Sequence, residues 1–147
     1  MTTIREIPPA ETVSAYMTMR ELRPHLASAE EFSARVAAQR MEGYRLLGAF
    51  IDEQTEPVTV AGFRTLHTLA WGHTLYVDDL IAQATHRSAG YGALLLDWLL
   101  AKAQRLGCDQ FHLDSGVQRF GAHRFYFDHN LHISSHHFSR ELDRDHG

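Results

Sequence analysis

The stretch from Leu75 to Gly107 does most to limit what this chain can fold into. It reads as an apolar strand over Leu75–Ala82, a short polar loop, the run Arg87-Ser88-Ala89-Gly90-Tyr91-Gly92, and then a helix over Ala89–Leu106. The helix is the stronger signal: Ala93, Leu96, Leu100 and Ala103 fall along one face, with Leu99 and Leu106 beside them. Lys102 and Arg105 suit the negative end of its dipole, and Gly107 supplies a stop. A helix start has unpaired N–H groups and a partial positive charge. Gly90 and Gly92 carry no Cβ, so an anion such as phosphate can come close to that backbone, and Arg87 can add a charge-assisted contact. A glycine turn that merely lets the helix pack would look the same. Two nucleotide-binding patterns fail: the dinucleotide turn needs a third glycine where Leu95 stands, and a P-loop needs Gly-Lys-Ser/Thr where Gly92-Ala93-Leu94 stands.

The flanking chain supplies the rest of a sheet. Thr3–Ile7 reads as a strand ended by Pro8-Pro9, which cannot donate to a ladder. Glu11–Leu22 carries apolar residues at mostly helical spacing, and Arg23-Pro24-His25 breaks it. Ser28 with Glu31 forms a capping box for a helix that Gly43 ends. Tyr44–Ile51 and Val58–Leu66, joined by a polar turn, read as an antiparallel hairpin. After the long helix come a strand at Phe111–Asp114, a helix at Arg119–His129 and a last strand at Leu131–Leu142. The expected architecture is α/β (α+β): one domain over residues 1–147, with a mixed, mostly antiparallel sheet and helices on both faces.

Composition excludes several classes. A formal charge of −4 gives no basic surface for nucleic acid. No apolar run nears the roughly 20 residues of a membrane span, and the N-terminus lacks the regions of a signal peptide, so a cytoplasmic protein is expected. Cys108 is the only cysteine; between a helix stop and an apolar strand, it reads as a packed thiol and not a nucleophile. His129, His132, His136 and His137 crowd together, but in a strand positions 132 and 136 lie about 13 Å apart. They cannot then share one ion at about 2 Å, so no metal is expected.

Asp79-Leu80-Ile81-Ala82 followed by Arg87-Ser88-Ala89-Gly90-Tyr91-Gly92 resembles the GNAT superfamily of acetyltransferases in residue type and spacing. In that family an acidic residue and apolar residues end a strand, and Gln/Arg-x-x-Gly-x-Gly/Ala opens the next helix. A second element agrees: Ala122, Phe125 and Tyr126 stand in register with the family's Asn-x-x-Ala-x-x-Phe-Tyr-x-x-x-Gly-Phe. Arg119 replaces the Asn, Asn130 the Gly and Leu131 the final aromatic residue. Asn is the next-best residue at a left-handed helix end, so the turn is expected to survive. The resemblance is specific over Leu75–Leu131 and compatible elsewhere.

The resemblance implies a GNAT-like domain whose motif strand splays from the next one, acetyl-CoA as co-substrate, and direct transfer of acetyl to a primary amine of a small molecule or peptide. Leu80, Ile81 and Ala82 would meet the pantetheine arm and acetyl carbonyl, while Arg87, Ser88, Ala89, Gly90, Tyr91 and Gly92 would hold the pyrophosphate. Tyr126 occupies the position of the acid that assists the leaving thiolate; otherwise it is a core tyrosine. Asp79 is a candidate base or ammonium-binding group, with a water chain as the alternative. In a regular strand Asp78 would point to the opposite face, and His112 and Asp114 would share the non-core face of theirs. Arg23 and Arg64 are candidates for an acceptor carboxylate. The resemblance leaves a homodimer open, as it does a catalytically silent acyl-CoA-binding sensor or interaction domain.

Overall fold

The computed structural model describes residues 1–144 and divides into two compact units, Met1–Leu113 and Asp114–Gly147. The first unit holds a five-stranded sheet in simple sequence order: β1 (Thr2–Ile7), β2 (Arg45–Ile51), β3 (Thr59–Thr68), β4 (Gly72–Ala82) and β5 (Gln110–Leu113). The first four strands pair antiparallel, and β5 joins β4 in parallel. A parallel neighbour requires a crossover, and α3 (Tyr91–Arg105) provides it.

Each face of the sheet buries its own core. On one side Ile7, Leu46, Phe50, Val60 and Ile81 pack with Met19, Phe32 and Val36 from α1 (Tyr16–Met19) and α2 (Ala29–Arg40). On the other, Leu47, Ala61, Phe63, Leu75 and Val77 pack against Leu95, Leu99 and Ala103 of α3. The mixed sheet with helices on both faces is therefore present. Ser28 caps α2 by accepting from the Glu31 amide at 3.1 Å, and the Glu31 carboxylate reaches back to the Ala27 amide at 2.8 Å. That is the expected capping box displaced by one residue on its return arm.

Two expected elements differ. The helix read over Glu11–Leu22 is instead a 3-10 stretch, Pro9–Ala15, running into the single turn of α1. Thr12, Val13 and Ser14 are weak helix formers, and the Thr12 hydroxyl donates to the Pro9 carbonyl at 3.1 Å. The strand read over Leu131–Leu142 is absent, and those residues form no regular element. Apolar alternation breaks at Ser134-Ser135-His136-His137, and Ile133, Phe138 and Leu142 are exposed. A strand without a ladder partner has nothing to hold it.

In the second unit α4 (Phe120–Asp128) ends where Asn130 takes a left-handed φ of 67°. The Leu131 amide donates to the Tyr126 carbonyl at 3.0 Å and the Asn130 amide to that of Phe127 at 3.1 Å. This closes the helix as a Schellman turn, the role expected of Asn130. Among the described residues no helix is long and apolar enough to cross a membrane.

Candidate active site

The site begins with a slip in the pairing of β3 and β4. The two strands keep step from Thr68–Gly72 to Phe63–Val77, and then Gly62 pairs with Asp79. Asp78 is the extra residue of a β-bulge, and the alternation of side chains reverses across it. Before the bulge Leu75 and Val77 face α3; beyond it Leu80 does, while Ile81 joins the core beneath α1 and α2. Tyr76, Asp78 and Asp79 consequently line one cleft. The expectation that Asp78 faces away holds only for a regular strand and is overturned here. Gly62, isolated in an apolar strand, was the available signal, since such a glycine marks a bulge or a close approach.

The cleft encloses about 370 Å³ between β4, α2 and the turn that follows α1. Met19, Leu26, Phe32 and Val36 form its apolar wall. Asp79 is held from two sides: Arg23 Nε donates to Oδ1 at 2.9 Å and the Tyr44 hydroxyl donates to Oδ2 at 2.7 Å. Arg23 also donates through Nη2 to the Asp78 carbonyl at 2.9 Å. Asp78 receives Arg64 on both oxygens, at 3.1 and 2.8 Å, and Arg64 donates in addition to Gln39 at 3.1 Å. Burial raises the Asp78 carboxyl above its usual range against the opposing pull of Arg64. Burial first, then the Asp79 charge, pushes the Tyr44 phenol far up, so Tyr44 is a donor throughout the neutral range.

Tyr44 and Gly62 are the residues that sequence reading passed over. A Cβ on Gly62 would collide with the Tyr44 hydroxyl and come within 2.6 Å of Asp79 Oδ2. Glycine is what lets the phenol and the carboxylate meet. Arg64, a candidate for an acceptor carboxylate, is instead committed to Asp78, whereas Arg23 stands at the Asp79 end of the cleft.

The coenzyme side was expected along the end of β4 and the loop beyond it. β4 pairs with β5 only from Thr74 to Val77, then continues along β3 through Asp78–Ala82, leaving β5 behind. Ile81 is buried, and Leu80 and Ala82 are partly buried. A 3-10 turn at Ala84–His86 leads to Ser88 at φ 69° and Gly90 at φ 90°. The left-handed Gly90 cannot be part of the helix, so α3 starts at Tyr91, two residues later than read. No side chain caps that end, and its first rung runs from the Leu94 amide to the Gly90 carbonyl at 3.2 Å. A Cβ on Gly90 would meet nothing within 4 Å, so the approach to the helix start is open. Arg87 donates to the Ala82 carbonyl at 3.1 Å and pairs with Glu21 at 3.3 Å; Glu21 also accepts from the Ala84 amide at 2.9 Å.

Tyr126 lies on α4 of the second unit, half-buried, with its ring edge-on to Phe125 at 5.4 Å. Burial raises its phenol, so it keeps its proton at neutral pH. Cys108 packs beside the α3 core, and burial followed by the Asp109 charge pushes its thiol up, which disfavours the reactive thiolate. Among the described residues no three His, Cys, Asp or Glu side chains are grouped to hold a metal ion.

The description "Acetyltransferase (GNAT) family" belongs to a family model that matches residues 11–129. A Bacillus subtilis (strain 168) protein, "Uncharacterized N-acetyltransferase YhdJ", is 34% identical over 118 residues, covering 80% of this chain and 82% of that one. The crystal structure of a ribosomal-protein-alanine N-acetyltransferase from Brucella melitensis biovar Abortus 2308 superposes with a TM-score of 0.83 at 15% identity, covering 97% of this chain and 100% of that one. For glucosamine-6-phosphate N-acetyltransferase from Arabidopsis thaliana the TM-score is 0.75 at 17% identity, with 97% and 99% covered. At such identities these two structures speak for the fold alone.

Proposed function

Because the chain belongs to the GNAT family of acetyltransferases, we propose that it is an N-acetyltransferase that moves acetyl from acetyl-CoA directly to a primary amine. The observation that carries the reading is the bulge, which turns Asp79 into a cleft at the point where β4 leaves β5. The coenzyme fits the residues present. The helix start at Gly90 is uncapped and open, and Arg87 stands beside it with a charge that Glu21 balances. Residues Arg87 to Gly92 would hold the pyrophosphate, with Arg87 exchanging Glu21 for phosphate oxygens. The backbone of Leu80, Ile81 and Ala82 would hold the pantetheine arm; the Ile81 side chain is already spent on the core.

Acetyl-CoA supplies the activated acyl group as a thioester. The protein's own part is to hold the amine and to move two protons. Asp79 takes the ammonium on Oδ1, Tyr44 keeps that carboxylate oriented from Oδ2, and the amine proton leaves to Asp79 or through water. As the N–C bond forms the C–S bond breaks, and the protonated phenol of Tyr126 supplies the proton to the departing sulfur. Cys108 stays outside the reaction.

Two measurements test this: calorimetry with CoA, and thiol release from acetyl-CoA across an amine panel. Micromolar coenzyme binding with turnover of at least one amine is expected. Binding without turnover would leave a silent coenzyme-binding domain; absence of binding would remove the site assignment altogether.

A further inference from the structure

We infer that the acceptor carries a carboxylate beside its amine, as a free amino acid does, and that Arg23 recognises it. This rests on the transfer reading above and adds the substrate class. The ions around the cleft are already matched within the protein: Arg64 with Asp78, Arg35 with Glu31, and Arg23 with Asp79. The three pairs are not equally available. Arg64 is 21% exposed and is bound through both Asp78 oxygens and Gln39, whereas the Arg23 side chain is 41% exposed and meets one oxygen of Asp79 and the Asp78 carbonyl. Arg35 pairs with Glu31 one turn back on the rim of α2.

An amine approaching Asp79 finds Tyr44 already donating to Oδ2 and Arg23 already donating to Oδ1. Tyr44 is buried and its phenol is locked in place, so the ammonium comes to Oδ1, beside the guanidinium or in its place. A simple cationic amine would then leave two positive groups at one carboxylate, with Arg23, once displaced, keeping only the Asp78 carbonyl in a partly buried cleft. That repulsion is costly where solvent is scarce. A zwitterion resolves it by exchange. Its ammonium replaces Arg23 on Asp79, its carboxylate takes the released guanidinium in the two-pronged geometry that Arg favours, and the net charge of the cleft does not change. The wall of Met19, Leu26, Phe32 and Val36 gives an apolar side chain a surface to lie on. A peptide N-terminus lacks the adjacent carboxylate and would forgo the exchange.

The experiment compares matched acceptors that differ only in the acid: leucine, leucinamide and isoamylamine, and phenylalanine, phenylalaninamide and phenethylamine, with O-phosphoethanolamine as a phosphate control. kcat/KM is read from thiol release, and binding of the same compounds to the CoA-loaded protein is read by calorimetry. The inference expects the two acids to exceed their amides and amines about tenfold or more. Arg23→Gln should bring that ratio near one by loss on the acids, and Arg23→Lys should restore part of it. Equal or better use of the amides and amines, a preference for phosphoethanolamine, or a ratio untouched by Arg23→Gln would overturn it. Preferential binding of the acids without turnover would uphold the recognition while removing the transfer reading; no binding of any acid would remove the recognition.

Discussion

Asp79 and Tyr126 are expected to affect different stages of one reaction, which makes single-atom substitutions informative. Asp79 is 13% exposed and accepts from both Arg23 and Tyr44, so Asp79→Asn keeps the shape but replaces an acceptor oxygen with a donor that faces other donors. Turnover should fall by at least about a hundredfold if the carboxylate is the base, while CoA binds as before. Kinetics with calorimetry checks this, and lost coenzyme affinity with intact turnover would contradict it. Tyr126→Phe removes only a hydroxyl from a half-buried ring packed on Phe125. A general acid contributes on the order of 10²–10⁴-fold, so turnover should drop toward that range with the melting temperature nearly unchanged. Full activity would assign the proton to water, and a matched loss of stability and activity would make Tyr126 a core residue.

Among the elements, the bulge between β3 and β4 matters most to the site, and Gly62 is its weak point. Gly62→Ala places a methyl against the Tyr44 hydroxyl and Asp79 Oδ2 in a core where Tyr44 cannot retreat. Overpacking of this kind costs about 1–3 kcal/mol, and the Tyr44–Asp79 hydrogen bond should break with it. Denaturant melts and amine kinetics should therefore both worsen, while CoA affinity holds; an unchanged melt would mean that the strands shift freely. The same element marks how far sequence reading reached. Local devices were legible because their cause is local: Ser28 with Glu31 at the start of α2, Asn130 past α4, and the change from strand to helix across the glycines. The bulge is a relation between two strands, and its outcome, two adjacent carboxylates on one side, depends on Gly62 lying opposite Asp79. Tyr44 looked like the start of a strand because its partner is distant in sequence, at position 79. The strand expected over Leu131–Leu142 failed for the complementary reason: a β-like composition promises no pairing partner.

For the whole molecule, two carboxylates in the same sheet respond to acid with opposite signs. Asp78, on β4 beside the central strand, is raised by burial, so its ionised form is disfavoured by folding and protonation at low pH relieves part of that cost. Glu6, on edge strand β1, is lowered, first by its hydrogen bonds from Arg45 at 2.8 and 2.6 Å, with burial opposing. Arg45 is raised by the same pair, so both partners agree. A lowered carboxylate contributes stability that is fully present above its unfolded pKa, about 4.3, and lost as pH falls through the lower folded value. Both side chains are about one-third exposed, so solvent screening limits the pair to about 1 kcal/mol or less. Arg45→Gln should therefore melt about 2–4 °C lower than the parent near pH 7 at most, the shift expected for about 1 kcal/mol in a chain of this size. The gap should narrow as pH falls from the unfolded value through the lower folded one, where Glu6 takes up its proton and the parent loses the same interaction. Thermal melts of both proteins from pH 7 down to the acid limit of the native state make the comparison. A gap that stayed constant across that range would assign the loss to the packing of the Arg45 guanidinium over the Phe63 ring, 5.1 Å away, and not to its charge.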